Sequence, residues 1–156
     1  MDGKKDLSSK IRHWCARSER SPEQVRRKLY AWGARDGIEQ AIEALIQDGY
    51  LDARRFAEAY AADHVRLKGW GPAKVAAGLR VEHGISADLV DRALGLVSSE
   101  DVLDAACRAV RKRKLHRPDE DPSKAIASLL RKGFNFDVAR KAVSAEDAPP
   151  KFGPSC

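Results

Sequence analysis

The stretch from Pro22 to Gly33, PEQVRRKLYAWG, predicts a helix that begins at a proline and ends at a glycine. Proline suits the first turn of a helix, where its missing amide hydrogen would be unbonded anyway, and glycine is common just past the last turn. Ser21 is a suitable N-cap. Val25, Leu29 and Trp32 follow at helical spacing, so they form one apolar stripe that must be buried.

The same pattern recurs about every fifty residues. Its members are the prolines Pro22, Pro72 and Pro122, the leucines Leu29, Leu79 and Leu129, and the closing glycines Gly33, Gly84 and Gly133. An apolar periodic segment precedes each copy and another follows it, which predicts further helices over 6–19, 52–68 and 100–114 and over 37–48, 87–97 and 136–145. Ser86 and Asn135 are the predicted N-caps of the last two.

This periodicity predicts an all-α protein of three tandem three-helix repeats that form an elongated, curved array. The repeats are expected over 6–49, 50–98 and 99–145, and the segment 146–156, which contains a proline-rich stretch, is expected to be disordered. Each unit is too small to bury its stripe alone, so neighbouring units should stack. The alternative is a single globular helical domain in which the spacing is coincidental.

The composition indicates a basic protein: 156 residues, 33% of them charged, with a net charge of +6 and a pI near 9.4. Such a charge favours contact with polyanions or acidic protein surfaces, although a solvated surface with a basic bias explains it equally well. The sequence lacks a secretory leader and a stretch long enough to span a bilayer, and its three cysteines are far apart. A reduced, cytoplasmic protein is therefore expected.

Motifs for catalysis are missing from the sequence. There is no P-loop, GxGxxG, HExxH or GxSxG, and the four histidines lie apart without metal-ligand spacing. We therefore expect no catalytic residue, no metal and no cofactor. An enzyme such as a nuclease would be a rival interpretation, but no residues support it.

The basic residues cluster at two places. One is Arg26-Arg27-Lys28 in the helix after Pro22, and the other lies between Arg108 and Arg117. Both could contact phosphates or an acidic protein, or could simply compensate a helix dipole and aid solubility. Trp70 lies between two glycines and beside lysines, so it either contacts a partner or closes the angle between helices as part of the core.

The middle unit resembles a known family at two motifs. LDARRFAEAY at residues 51–60 resembles the opening of the central repeat of the RecX regulators, and KGWGP at residues 68–72 resembles the turn that follows it. CARSERSP at residues 15–22 resembles their first repeat. The resemblance runs from about residue 6 to residue 97 and more loosely to residue 143.

The resemblance implies a cytoplasmic regulator that lodges along the RecA nucleoprotein filament and restrains strand exchange, ATP hydrolysis and co-protease activity in DNA repair. It also implies direct DNA contact in part of the family, and we expect a monomer. The rival is a DNA-binding regulator, either sequence-specific or non-specific, because paired short helices can mimic a helix-turn-helix. From charge and expected exposure, the predicted partner-binding residues are Arg26, Arg27, Lys28, Arg54, Arg55, Arg66, Lys68, Trp70 and Lys74.

Overall fold

The computed structural model describes residues 2–147, with side chains from residue 6 onward. Every regular element in that range is helical, which confirms the predicted all-α fold. The elements are α1 (Asp2–Ala16), α2 (Pro22–Ala31), α3 (Ile38–Gln47), α4 (Ala53–Arg66), α5 (Pro72–Ala77) with a π-helical continuation (Gly78–Glu82), α6 (Ala87–Gly95), α7 (Ser99–His116), α8 (Pro122–Arg131) and α9 (Phe136–Asp147).

The segment predicted as a tail begins inside α9, which includes Glu146 and Asp147. Arg111 pairs with the Glu146 carboxylate at 2.9 Å, and the Lys114 ammonium donates to the Glu146 carbonyl oxygen. These contacts attach the last turn of α9 to α7, so the prediction that residues 146 and 147 are disordered was wrong. Residues 148–156 of the predicted tail lie outside the described residues.

Two of the three predicted N-caps accept the expected hydrogen bonds. The Ser21 hydroxyl accepts from the Gln24 amide at 3.2 Å while the Gln24 side chain accepts from the Ser21 amide at 3.0 Å, which is a complete capping box. Asn135 accepts from the Val138 amide at 2.8 Å. Ser86 occupies the N-cap position of α6, but its side chain makes no capping hydrogen bond.

The buried apolar side chains form two clusters. The first, built on α1 to α3, contains Ile11, Val25, Leu29, Ile42 and Leu45. The second runs through α4 to α9 without a break, because α4 packs against both α6 and α7. The three units are therefore not equivalent: the second and third share one core, and the first has its own.

The helix that begins at Pro72 contains one more residue before its closing glycine than the helices that begin at Pro22 and Pro122. The extra residue is accommodated by the π-helical turn over Gly78–Glu82. This turn keeps Leu79 buried, as Leu29 and Leu129 are in the other two units. A Cβ at Gly78 would overlap the Tyr60 hydroxyl, so the turn passes directly over that ring.

The first unit meets the second through a buried polar contact. The Ser21 hydroxyl lies 2.8 Å from His83 Nδ1, and the two residues are 0% and 8% exposed. Because the same hydroxyl oxygen accepts from Gln24, its proton is free to be donated to Nδ1. The His83 ring also packs against Phe56, with centroids 4.8 Å apart. A buried hydrogen bond thus contributes to this joint, and the buried apolar clusters on its two sides are separate.

Candidate partner-binding surface

Arg26, a predicted partner-binding residue, forms ion pairs within the first unit. Its guanidinium pairs with Glu39 at 2.6 Å and also with Glu23. The hydrogen bond to Glu39 is the main reason that the pKa of Arg26 is raised, and the same bond lowers the pKa of Glu39. Arg26 therefore ties α2 to α3.

Arg27 and Arg55 bridge the first and second units. Arg27 donates to the Glu82 carbonyl oxygen at 3.2 Å, next to the Ser21–His83 contact. Arg55 donates to the Glu19 carboxylate at 3.0 Å and to the Gly49 carbonyl oxygen at 2.9 Å. Both side chains thus contribute to the joint between the units, although part of each remains accessible.

The remaining two predicted arginines have carboxylate partners. Arg66, at the end of α4, pairs with Asp101 of α7 at 2.7 Å and joins the second unit to the third. Arg54 pairs with Glu58 at 3.0 Å, one turn along the same helix. All five predicted arginines are therefore engaged within the chain.

The predicted lysines are in a different situation. Lys68 and Lys74 are exposed and Lys28 is half-buried, and none of the three forms an ion pair with a described carboxylate. Lys74 lies over the Trp70 ring, with its ammonium 4.2 Å from the ring centroid. The structure thus divides the predicted set into arginines that are bonded within the chain, Arg27 to a carbonyl oxygen and the others to carboxylates, and lysines that pair with no described carboxylate.

Trp70 is half-buried and packs against the core of the second and third units, which agrees with one of the two alternatives predicted for it. One side packs in an aromatic group, 4.6 Å from the His64 ring and 6.4 Å from the Tyr60 ring between centroids. Its amide donates to the His64 carbonyl oxygen at 2.9 Å, which fixes the turn after α4. The ring also lines a cleft of about 500 Å³ between the first two units, beside Arg27.

An alternating row of cations and indole rings crosses the first unit, and it was not predicted from the sequence. Arg20 lies 4.0 Å from the Trp14 ring centroid, Lys28 lies 5.4 Å from both Trp14 and Trp32, and Lys10 lies 4.7 Å from Trp32. A lysine lies four residues before both Trp14 and Trp32, and this spacing was a usable signal. The crosswise pairing required the packing of α1 on α2. Such contacts hold cations in place without neutralising them.

The basic cluster at the end of α7 is mostly neutralised inside the third unit. Five of its members pair with carboxylates: Arg108 with Asp104, Arg111 with Glu146, Arg113 and Arg117 with Glu120, and Lys114 with Asp147. Lys112 has no such partner among the described residues. The charge of this cluster that remains available is therefore smaller than its sequence suggests.

Residues 2–147 hold neither a metal-binding group nor a membrane-spanning helix. Among the described side chains, residues 6–147, no three histidines, cysteines, aspartates or glutamates are grouped so as to hold a metal ion. None of the helices in the described part of the chain has the length and apolar character needed to cross a membrane.

Comparison with known proteins gives consistent matches. A family model for the second three-helix domain of RecX matches residues 52–94. The chain is 33% identical over 144 residues to regulatory protein RecX of Halorhodospira halophila, a match that covers 89% of this chain and 87% of that protein. It is also 33% identical over 133 residues to regulatory protein RecX of Bacillus licheniformis, where the match covers 82% of this chain and only 50% of the relative.

Solved structures show the same fold. The crystal structure of RecX from Lactobacillus salivarius superimposes with a TM-score of 0.73 at 20% identity, over 92% of this chain and 96% of that one. A second crystal structure of a regulatory protein RecX gives a TM-score of 0.78 at 20% identity, over 92% of this chain and 72% of that one.

Proposed function

Because this chain belongs to the RecX family of regulatory proteins, we propose that it binds the nucleoprotein filament of a RecA-type recombinase and restrains its activity. The observation that carries the proposal is the 33% identity to a regulatory protein RecX along most of both chains. The proposed role is binding rather than catalysis, and its place is the cytoplasm, where recombinase filaments form on DNA. The chain would act as a monomer.

The arrangement of charges supports a binding surface that spans more than one unit. Lys28 in the first unit and Lys68 and Lys74 in the second carry charge that no described carboxylate offsets. A filament repeats the same subunit surface, so several modest contacts on one rigid chain would add through a high effective concentration. The arginines, which the sequence alone does not distinguish from the lysines, would then act mainly by fixing the units relative to one another.

Co-sedimentation tests this proposal. The purified chain is centrifuged with filaments of the cognate recombinase at low salt, and we expect it in the pellet. Replacing Lys28, Lys68 and Lys74 together by glutamate should weaken retention at least about tenfold, which corresponds to about 1.4 kcal/mol.

The matched control carries the same change in net charge at Arg80, Arg92 and Lys141, which are exposed and unpaired among the described residues. Circular dichroism checks that both variants remain helical. Absence of the unaltered chain from the pellet would overturn the proposed partner. Equal weakening by both variants would overturn the proposed surface.

A further inference from the structure

The first and third helices of the first unit do not pack together as their counterparts do. In the second unit α4 lies against α6, and in the third unit α7 lies against α9. In the first unit α1 packs on α2, and its described part makes no comparable contact with α3. A groove of about 430 Å³ opens between α1 and α3, where a contact between helices closes the other two units.

The groove is apolar along both walls. Each wall is a helical stripe, in which residues one turn apart share a face. The stripe on α1 is Leu7 and Ile11, and the stripe on α3 is Ile38, Ala41 and Leu45. Ile11 and Leu45 belong to the core beneath, whereas the other three side chains are only half-buried. The groove thus leaves apolar side chains of the first unit partly uncovered by its own helices.

The length of the groove suits a helical segment. Residues 38–45 extend over about 10 Å of α3, at 1.5 Å per residue. An amphipathic helix presents apolar side chains at one-turn spacing along one face, so two or three of them would fall within that length. Ala44 lies exposed on the groove, and its small side chain leaves room for them.

The charged residues that line the groove are more basic than acidic. They are Arg12, Arg35 and Asp36. Arg12 approaches Asp48 at 3.5 Å, and both side chains are about half exposed, so this pair is weak. Two guanidiniums against one carboxylate favour a ligand that carries a negative charge.

Arg35 is held in place without being neutralised. Its Nη1 donates to the Tyr30 and Ala34 carbonyl oxygens, both at 2.9 Å, and its guanidinium lies 4.0 Å from the Tyr30 ring centroid. It forms no ion pair with a described carboxylate, including its neighbour Asp36. Because both hydrogen bonds use Nη1, the Nε and Nη2 atoms can donate to a carboxylate of a ligand.

We propose that the groove between α1 and α3 binds an amphipathic helix of a protein partner, with an acidic residue beside the apolar face of that helix. The apolar face packs between the two stripes, and Arg35 pairs with the acidic residue. A strand of phosphates is a poor occupant, because charges placed against apolar walls lose their hydration. The groove contains none of Lys28, Lys68 and Lys74, so this contact goes beyond the proposed recombinase surface.

A phage-displayed library of helical peptides tests the groove. The peptides have about fourteen residues, since shorter helices are marginal in water. The library is first depleted on the Ala44→Phe protein, whose added ring fills the groove, and is then selected on the unaltered chain. We expect recovered peptides to combine apolar residues at one-turn spacing with a flanking aspartate or glutamate. Recovery of no peptide, or of peptides without acidic residues, would overturn the proposal.

Matched variants then test one recovered peptide by fluorescence anisotropy. Ala44→Phe should weaken its binding at least about tenfold, whereas Ala31→Phe makes the same change at an exposed residue outside the groove and should leave binding unchanged. Arg35→Glu should weaken binding more than Arg17→Glu, which changes an exposed arginine outside the groove. Circular dichroism checks that the variants remain folded, and Ala44→Leu replaces Ala44→Phe if that variant does not.

Two results of the anisotropy experiment would contradict the proposed site. Equal losses in the groove variants and their controls would show that the peptide binds elsewhere. Competition by decanoate as strong as that by unlabelled peptide at the same concentration would assign the groove to a small amphipathic anion instead. Because no recombinase is present, failure here leaves the co-sedimentation result unaffected, and the reverse also holds.

Discussion

The Gly71 amide donates a 2.8 Å hydrogen bond to the carbonyl oxygen of Lys132, which joins the turn before α5 to the end of α8. The two backbone segments approach so closely that a Cβ at Gly71 would overlap the Gly133 backbone. The contact lies at the boundary between the second and third units, which share the buried core of α4 to α9. It turns the second and third units into one folded body and sets the position of Lys132 relative to Lys74.

Gly71→Ala should therefore destabilise the protein. The added methyl group has no space beside the Gly133 backbone, and we expect a loss on the order of 3 kcal/mol in the free energy of unfolding. Gly95→Ala is the control, because a Cβ at that position would meet nothing within 4 Å and alanine favours a helix. Urea unfolding measures the free energy of unfolding of both variants. If the Gly71→Ala protein were as stable as the Gly95→Ala protein, the close approach of Gly71 to the Gly133 backbone would be contradicted.

The separate core of the first unit predicts local effects of its mutations. Leu45→Ala and Leu79→Ala remove side chains that are 3% and 0% exposed, and each should cost about 2–5 kcal/mol. Hydrogen exchange should show that Leu45→Ala accelerates opening mainly in α1 to α3, whereas Leu79→Ala acts on α4 to α9 together. Uniform acceleration along the whole chain by Leu45→Ala would show a single cooperative core instead.

Two neighbouring arginines, Arg54 and Arg55, should differ in how much they stabilise the joint between the first two units. Arg55→Ala removes the bonds to Glu19 and the Gly49 carbonyl, so it should cost on the order of 1 kcal/mol. Arg54→Ala removes only an exposed pair with Glu58 one turn away, worth about 0.3–0.5 kcal/mol. Chemical denaturation of both variants gives the comparison. Equal losses would mean that the Arg55 contacts contribute no more than an exposed ion pair within one helix.

Stability should also depend on pH through His83. Burial is the main cause that lowers its pKa, Glu82 opposes the shift, and Arg27 adds to it. The unfolded chain therefore binds the proton more readily than the folded one, so the free energy of unfolding should fall as pH drops below the ordinary histidine value of about 6.5. His83→Gln should flatten this dependence. If the two proteins lose stability in parallel on acidification, His83 is not responsible.

Helix positions were predictable because their signals are local. Pro22, Pro72 and Pro122 mark helix starts by a fixed φ, and the apolar residues that follow mark one face by their spacing. The π-helical turn was not predictable in the same way. The extra residue before Gly84 is visible in the sequence, but only the packing of Leu79 and Tyr60 determines where it is accommodated.

The candidate surface was predictable only as a set of charges. Sequence identified Lys28, Lys68 and Lys74 together with the arginines, and it could not separate them because ion-pair partners such as Glu19 and Asp101 lie far along the chain.

The amino-acid order by itself determined an all-helical chain, its approximate helix boundaries and the family resemblance, because these depend on contacts and propensities within a few residues. Tertiary structure alone decided that two units share a core, that a Ser21–His83 hydrogen bond joins the first unit to the second, and that four of the five predicted arginines pair with carboxylates while the predicted lysines pair with none that the structure describes. Each of these depends on which distant side chains meet, and burial and electrostatic pairing act through space rather than along the chain.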